Sequence, residues 1–245
     1  MKKTFIIAVS FLLFNVLQAQ VRFFGTVRVE FEKTLNVHAS YKSMDAQWYE
    51  QIKDRLPKEA ITFHVFTGDS TRSLYKPGKE ADIDPRTWFR PIADKNVVFT
   101  DFKTGKTIAQ KPVFEETFLV VDSLVQIKWK LTPDTRMIAG YECRKAVGIL
   151  ADTIAVFAFY TDELMVSGGP EGIHGLPGMI LGVGIPRLHT TWFATKVDVF
   201  DINMNSVVPA TKGKKVDRPT MMKSLDKVLR QWGEYGGKLI VNFAI

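Results

Sequence analysis

The feature that most constrains this chain is an alternation of period two. Phe23, Gly25, Val27, Val29 and Phe31 alternate with Phe24, Thr26, Arg28, Glu30 and Glu32, a mainly polar set after the first turn. A strand points successive side chains to opposite faces, so this pattern gives one buried and one wet face. The pattern returns in short pieces bounded by turn residues. Residues 61–66 and 70–75 flank Gly68-Asp69, and 97–102 and 106–110 flank Lys103-Thr104-Gly105. Residues 113–121 and 125–131 flank Asp122-Ser123, 137–150 and 153–160 flank Ala151-Asp152, and 179–183 and 188–200 follow. Hairpins repeated about every ten residues predict a mainly β chain (a β-rich α+β fold) built on a curved antiparallel sheet, a half-barrel or sandwich.

Two segments break the pattern. Residues 43–56 carry Met44, Trp48, Ile52, Arg55 and Leu56 at helical spacing, with Ser43 as cap and Pro57 as stop. That is one helix in the N-terminal half. After Pro219, Thr220 can cap a C-terminal helix bearing Leu225, Val228, Leu229 and Trp232, stopped by Gly236-Gly237. Residues 239–243 then read as a short strand or packed tail. Residues 76–95 read as a long loop anchored by Trp88 and Phe89.

Residues 1–19 have the pattern of a signal peptide: Lys2 and Lys3, an apolar run from Phe5 to Val16, then Ala19. The run is shorter than the roughly 20 residues that span a bilayer. Residues 20–245 are expected to form a single domain, with no transmembrane segment after cleavage. The expected location is the periplasm or cell envelope of a Gram-negative bacterium. Apolar residues make up 46% and charged residues 24%, which excludes a disordered chain. Loss of Lys2 and Lys3 lowers the formal charge from +7 to +5. The tight basic cluster, Lys212, Lys214 and Lys215, reads as a solvated loop, so no nucleic-acid partner is expected. Cys143 is the only cysteine and can form no intramolecular disulfide.

Residues 168–181 hold five glycines and two prolines and run directly into apolar sequence. Gly175-Leu176-Pro177-Gly178-Met179-Ile180, with Gly140-Tyr141-Glu142-Cys143-Arg144-Lys145-Ala146 upstream, resembles the GLPGLI family of exported bacterial proteins. The resemblance also covers Trp129, Tyr160 and Thr161, so Trp129, Gly140, Tyr141, Cys143 and Tyr160 are implied structural positions. Phe159, Met179 and Glu171 depart from the family pattern. The family has no established activity, so the resemblance implies location and architecture rather than chemistry.

The candidate binding loop is Pro170, Glu171, His174, Gly175, Leu176, Pro177 and Gly178. Gly175 and Gly178 flank a rigid pair, which predicts that Leu176 turns inward as a plug while Glu171 stays solvated. No catalytic constellation is assembled in the sequence. His38, His64, His174 and His189 lack metal-site spacing, and no Gly-x-Ser-x-Gly elbow exists. Neither a metal nor a cofactor is expected. The favoured expectation is a non-catalytic binding or carrier module for a hydrophobic ligand or peptide. The alternatives are an accessory protein docking an outer-membrane transport machine, and a hydrolase with dispersed groups in which His174 serves Ser167 or Cys143.

Overall fold

The computed structural model describes residues 25–81, 91–199 and 202–245. The signal segment and the Trp88-Phe89 anchor lie outside the described residues. The strands are β1 (Val27–Asn36), β2 (Glu59–Gly68), β3 (Arg72–Pro77), β4 (Val97–Asp101), β5 (Lys106–Val113) and β6 (Glu116–Ser123). They continue as β7 (Lys130–Ile138), β8 (Tyr141–Leu150), β9 (Ile154–Thr161), β10 (Met179–Ile185), β11 (Thr190–Asp198) and β12 (Lys214–Val216). All twelve form one open sheet in the order β12-β6-β5-β4-β3-β2-β1-β11-β10-β9-β8-β7. Every pairing is antiparallel except that of β12 with β6.

The sheet curves, because side chains from well-separated strands meet on one face. Trp192 of β11 donates its indole N–H to the Tyr75 hydroxyl of β3 at 3.1 Å. The connection between β9 and β10 reaches β4, where Gly172 packs on Val98. Val27, Val29 and Phe31 of β1 are fully buried on this inner face, as the alternation requires. This is the curved, β-rich half-barrel the pattern predicts, with helical segments in the N-terminal half and at the C-terminus.

The local boundaries differ in instructive ways. The first helical region is two helices, α1 (Val37–Met44) and α2 (Ala46–Ile52), followed by a short 3-10 turn. Asn36 caps α1 and Asp45 caps α2, their side chains accepting from the Ala39 and Trp48 amides. Ser43 is not a cap; it sits in the last turn of α1 and donates to the Ser40 carbonyl at 2.8 Å. The β5–β6 turn falls at Phe114-Glu115, where Phe114 takes φ of 54° without a glycine to announce it. Residues 125–129 consequently form no strand, and β7 turns into β8 through Ala139-Gly140, both with positive φ. The predicted turn at Ala151-Asp152 is present.

At the C-terminus, Asp217 rather than Thr220 caps α3 (Arg218–Leu229), accepting from the Thr220 amide at 2.8 Å. Gly236 and Gly237 do not stop a helix but lie inside α4 (Gly233–Leu239). A Cβ at Gly236 would collide with the Leu229 backbone, so this glycine serves helix–helix approach. Residues Ile240–Phe243 are 3-10 helix, not strand. No helix among the described residues is long and apolar enough to cross a membrane.

Candidate functional site

Continuing the inward register of Val27, Val29 and Phe31 brings β1 to Lys33, whose residue is 6% exposed. On β5 the inward set Thr107, Ala109 and Val113 likewise includes Lys111, 5% exposed. His64 of β2 and Tyr75 of β3 are 1% exposed and stack with ring centroids 5.1 Å apart. Two lysines thus occupy core positions of the half-barrel. Buried cations persist only with partners.

The principal partner comes from the glycine-rich loop. Residues Pro170–Gly172 form a short 3-10 turn in which Glu171 takes φ of 54°, placing its side chain at 2% exposure. The expectation of a solvated Glu171 is therefore wrong. Gly168 and Gly172, both with positive φ, let the loop lie against Phe66 and Val98, which carries Glu171 inward. Glu171 Oε1 lies 4.0 Å from Lys33 Nζ, and Asn96 Nδ2 donates to Oε2 at 3.0 Å. Oε1 has no hydrogen-bond partner among the described residues.

Residues 92–96 close the centre. Lys33 Nζ donates to the carbonyls of Ile92 at 3.4 Å and Ala93 at 3.0 Å, and also lies 5.3 Å from the Trp192 ring centroid. His64 Nε2 pairs with the Asp94 carbonyl at 2.9 Å, which makes that nitrogen the N–H and leaves Nδ1 unpartnered. Ala93, like Glu171, holds a left-handed φ without being glycine.

Burial sets the electrostatics. Desolvation lowers the Lys33 pKa against the raising effect of Glu171 and Asp94. It lowers His64 as well, and raises Tyr75 well above the ordinary phenol value with the Glu171 charge adding to the rise. Lys111 is lowered to about 8 by burial, with Glu171 as the leading opposing charge. One carboxylate thus acts on four buried titratable groups. Cavities of about 50 Å³ and 60 Å³ flank it, the first beside Lys33, Thr62 and Trp192, the second beside Lys111, His174 and Arg218.

The remaining loop residues hold the turn in place. Leu176 is buried at 4% exposure, as its glycine frame predicts. The Gly178 amide donates to the Leu176 carbonyl at 2.9 Å around the exposed Pro177, and Gly175 is also exposed. Trp129 donates its indole N–H to the His174 carbonyl at 3.0 Å, and the His174 ring is buried rather than loop-exposed. Tyr160 is buried, Tyr141 half-buried, and Gly140 turns β7 into β8. Cys143 is buried, and burial together with Glu163 and Glu142 pushes its thiol up to about 12. Such a thiol is a poor nucleophile. His174 Nδ1 is engaged by the Gly172 carbonyl at 2.9 Å and Nε2 has no hydrogen-bond partner among the described residues, so neither Ser167 nor Cys143 is hydrogen-bonded to the ring. Among the described residues no group of His, Cys, Asp or Glu could hold a metal.

The sequence contained a usable signal for Lys33 and Lys111, namely a cation at an inward register of an amphipathic strand. Asn96 and Glu171 carried none, because loop geometry alone turns them inside.

Residues 103–231 match the family described as N-glycanase peptide, N-terminal domain. That is more than half of the chain, and the chain belongs to this family. The finding overturns the assignment to the GLPGLI family; the motif residues that carried that likeness serve here to turn and dock the loop. The chain is also similar to two solved structures of PNGF-II. One, in a C2 space group, is 18% identical with a TM-score of 0.52, over 81% of this chain and 32% of that one. The other, in a P21 space group, is 17% identical with a TM-score of 0.51, over 86% of this chain and 34% of that one. The chain spans about a third of the length of these proteins. A search among curated proteins finds no match. This family match also runs against two functional expectations, the non-catalytic carrier module and the absence of enzymatic activity.

Proposed function

We propose that this chain, as a member of the N-glycanase peptide N-terminal domain family, takes part in hydrolysing the amide that joins a glycan to a protein, with Glu171 as its acid–base group. The observation that carries the reading is the buried Glu171 carboxylate, with Oε2 held by Asn96 and Oε1 unpartnered 4.0 Å from the Lys33 ammonium. A gap of that size between charged groups suits a bridging water. A carboxylate can take a proton from such a water as it attacks, and a nearby ammonium can stabilise the oxyanion that develops on the amide carbonyl. Membership in a glycanase family supports the choice of an amide-linked glycan. This is the hydrolase alternative with a different set of residues.

Export is part of the proposal. The signal pattern of residues 1–19 supports delivery to the periplasm or cell envelope, where glycosylated proteins of the surroundings are within reach. The test is incubation of the purified chain with an asparagine-linked glycopeptide in heavy-oxygen water. Glycan release with one heavy oxygen in a new aspartate supports the reading. No release, or release without conversion of the asparagine, overturns it.

A further inference from the structure

The cavity on the far side of Glu171 carries three residues that the hydrolytic reading does not use, Lys111, His174 and Arg218. Lys111 Nζ donates to the backbone oxygens of Phe243 and Ile245, which leaves one of its three N–H groups uncommitted. Arg218 also lines the cavity, near Asp122, whose charge opposes the lowering of its pKa by burial. His174, 8% exposed, lines it too. Because His174 Nδ1 faces the Gly172 carbonyl, an acceptor only, Nδ1 carries the hydrogen and Nε2 presents a lone pair with no partner. Glu171 Oε1 is a second unpartnered acceptor on a residue of the same cavity wall.

The residues of the cavity wall therefore include two cationic donors, Lys111 and Arg218, and two with orphaned acceptors, His174 Nε2 and Glu171 Oε1, the latter shared with the Lys33 side. Buried polar groups without partners are rare and call for a ligand or water. An oxyanion alone would satisfy the donors and repel the acceptors. A neutral polar molecule would satisfy the acceptors and leave two cations, Lys111 and Arg218, facing the single Glu171 carboxylate of the wall, which Lys33 already shares. We infer that this cavity binds a small carboxylate carrying an adjacent hydrogen-bond donor, an α-amino or α-hydroxy acid. The carboxylate lies on Lys111 and Arg218, whose planar fork matches two carboxylate oxygens, and the amino or hydroxyl group donates to His174 and Glu171. A volume of about 60 Å³ suits the smallest members of the class.

The experiment titrates the full chain with glycine, glycolate and acetate, reading the nitrogen resonances of the His174 ring. Saturable shifts with glycine or glycolate, at least tenfold tighter than with acetate, support the inference, and the better of the two identifies the donor. Arg218→Gln should weaken all three ligands at least tenfold. Glu171→Gln should weaken glycine severalfold while tightening acetate, because it removes both an ammonium partner and a repelling charge. No saturable shift with any of the three overturns the inference, as does acetate binding as tightly as glycine. Since these readouts need no turnover, loss of hydrolytic activity in Glu171→Gln leaves them intact, and the two readings fail separately.

Discussion

Asn96 donates its side-chain amide to Glu171 at 3.0 Å across 75 residues of sequence, joining the segment before β4 to the loop before β10. This bond and the two Lys33 bonds to the carbonyls of Ile92 and Ala93 tie three stretches of chain into one buried polar centre.

Glu171→Ala should be strongly destabilising. It strands the Lys33 ammonium and the Asn96 amide in the core, a loss of about 3–5 kcal/mol for one partner of a buried ion pair. Glu171→Gln keeps an acceptor for Asn96 and should lose clearly less. Urea unfolding of the two variants checks this, and an Ala variant within about 0.5 kcal/mol of wild type would show the carboxylate to be solvated.

Leu176→Asp should fail to fold or melt far below wild type. Leu176 is 4% exposed, and the change removes roughly 2 kcal/mol of apolar burial while adding an unpaired buried charge. Thermal melts decide it, and a wild-type melt would place Leu176 at the surface.

The two motif glycines should respond differently to alanine. Gly178 has φ of 141° and a Cβ there would overlap the Thr161 backbone, which cannot swing aside. Gly175 has φ of 95° but meets only the Trp129 ring at 3.4 Å. Gly178→Ala should therefore lose at least about 3 kcal/mol and Gly175→Ala about 1–2 kcal/mol. Equal losses, measured by chemical denaturation, would contradict the packing described for the loop.

Lys111 predicts a rise of stability in mildly alkaline solution. Its folded pKa is lowered from 10.5 to about 8, so between these values the unfolded chain holds more protons than the folded one. Stability from this group is lowest below pH 8, where both states carry the charge. It increases through the window and is complete above 10.5, a gain on the order of 3 kcal/mol. Lys111→Met should abolish that part of the rise. Unfolding free energies compared across the window for both proteins test it, and an unchanged pH profile in the variant would refute it.

The architecture was largely legible because alternation and turn chemistry are local properties: β1 and β2 follow from short apolar runs between turn residues, and the inward Leu176 from the glycines flanking its rigid pair. The hairpin turn at Phe114 was hidden because a non-glycine residue takes positive φ there, imposed by pairing rather than announced by composition, whereas the turn at Ala139-Gly140 is marked by Gly140 and was read through as strand. The centre was mostly illegible for the same reason. Glu171 looks like a surface residue in sequence and becomes a core residue only because the loop crosses the half-barrel to reach Asn96. Lys33 was readable, since it sits two residues beyond Phe31 on the buried face, and a lysine there should have flagged the interior.

Steady-state hydrolysis of an asparagine-linked glycopeptide by wild type and Glu171→Gln shows whether the Lys33–Glu171 pair performs the chemistry proposed for it. Removal of the acid–base group should lower kcat by about 10²–10⁴-fold with KM little changed, in a variant that still melts cooperatively. A folded Glu171→Gln that turns over within about twofold of wild type would show that the buried carboxylate is not the reacting group.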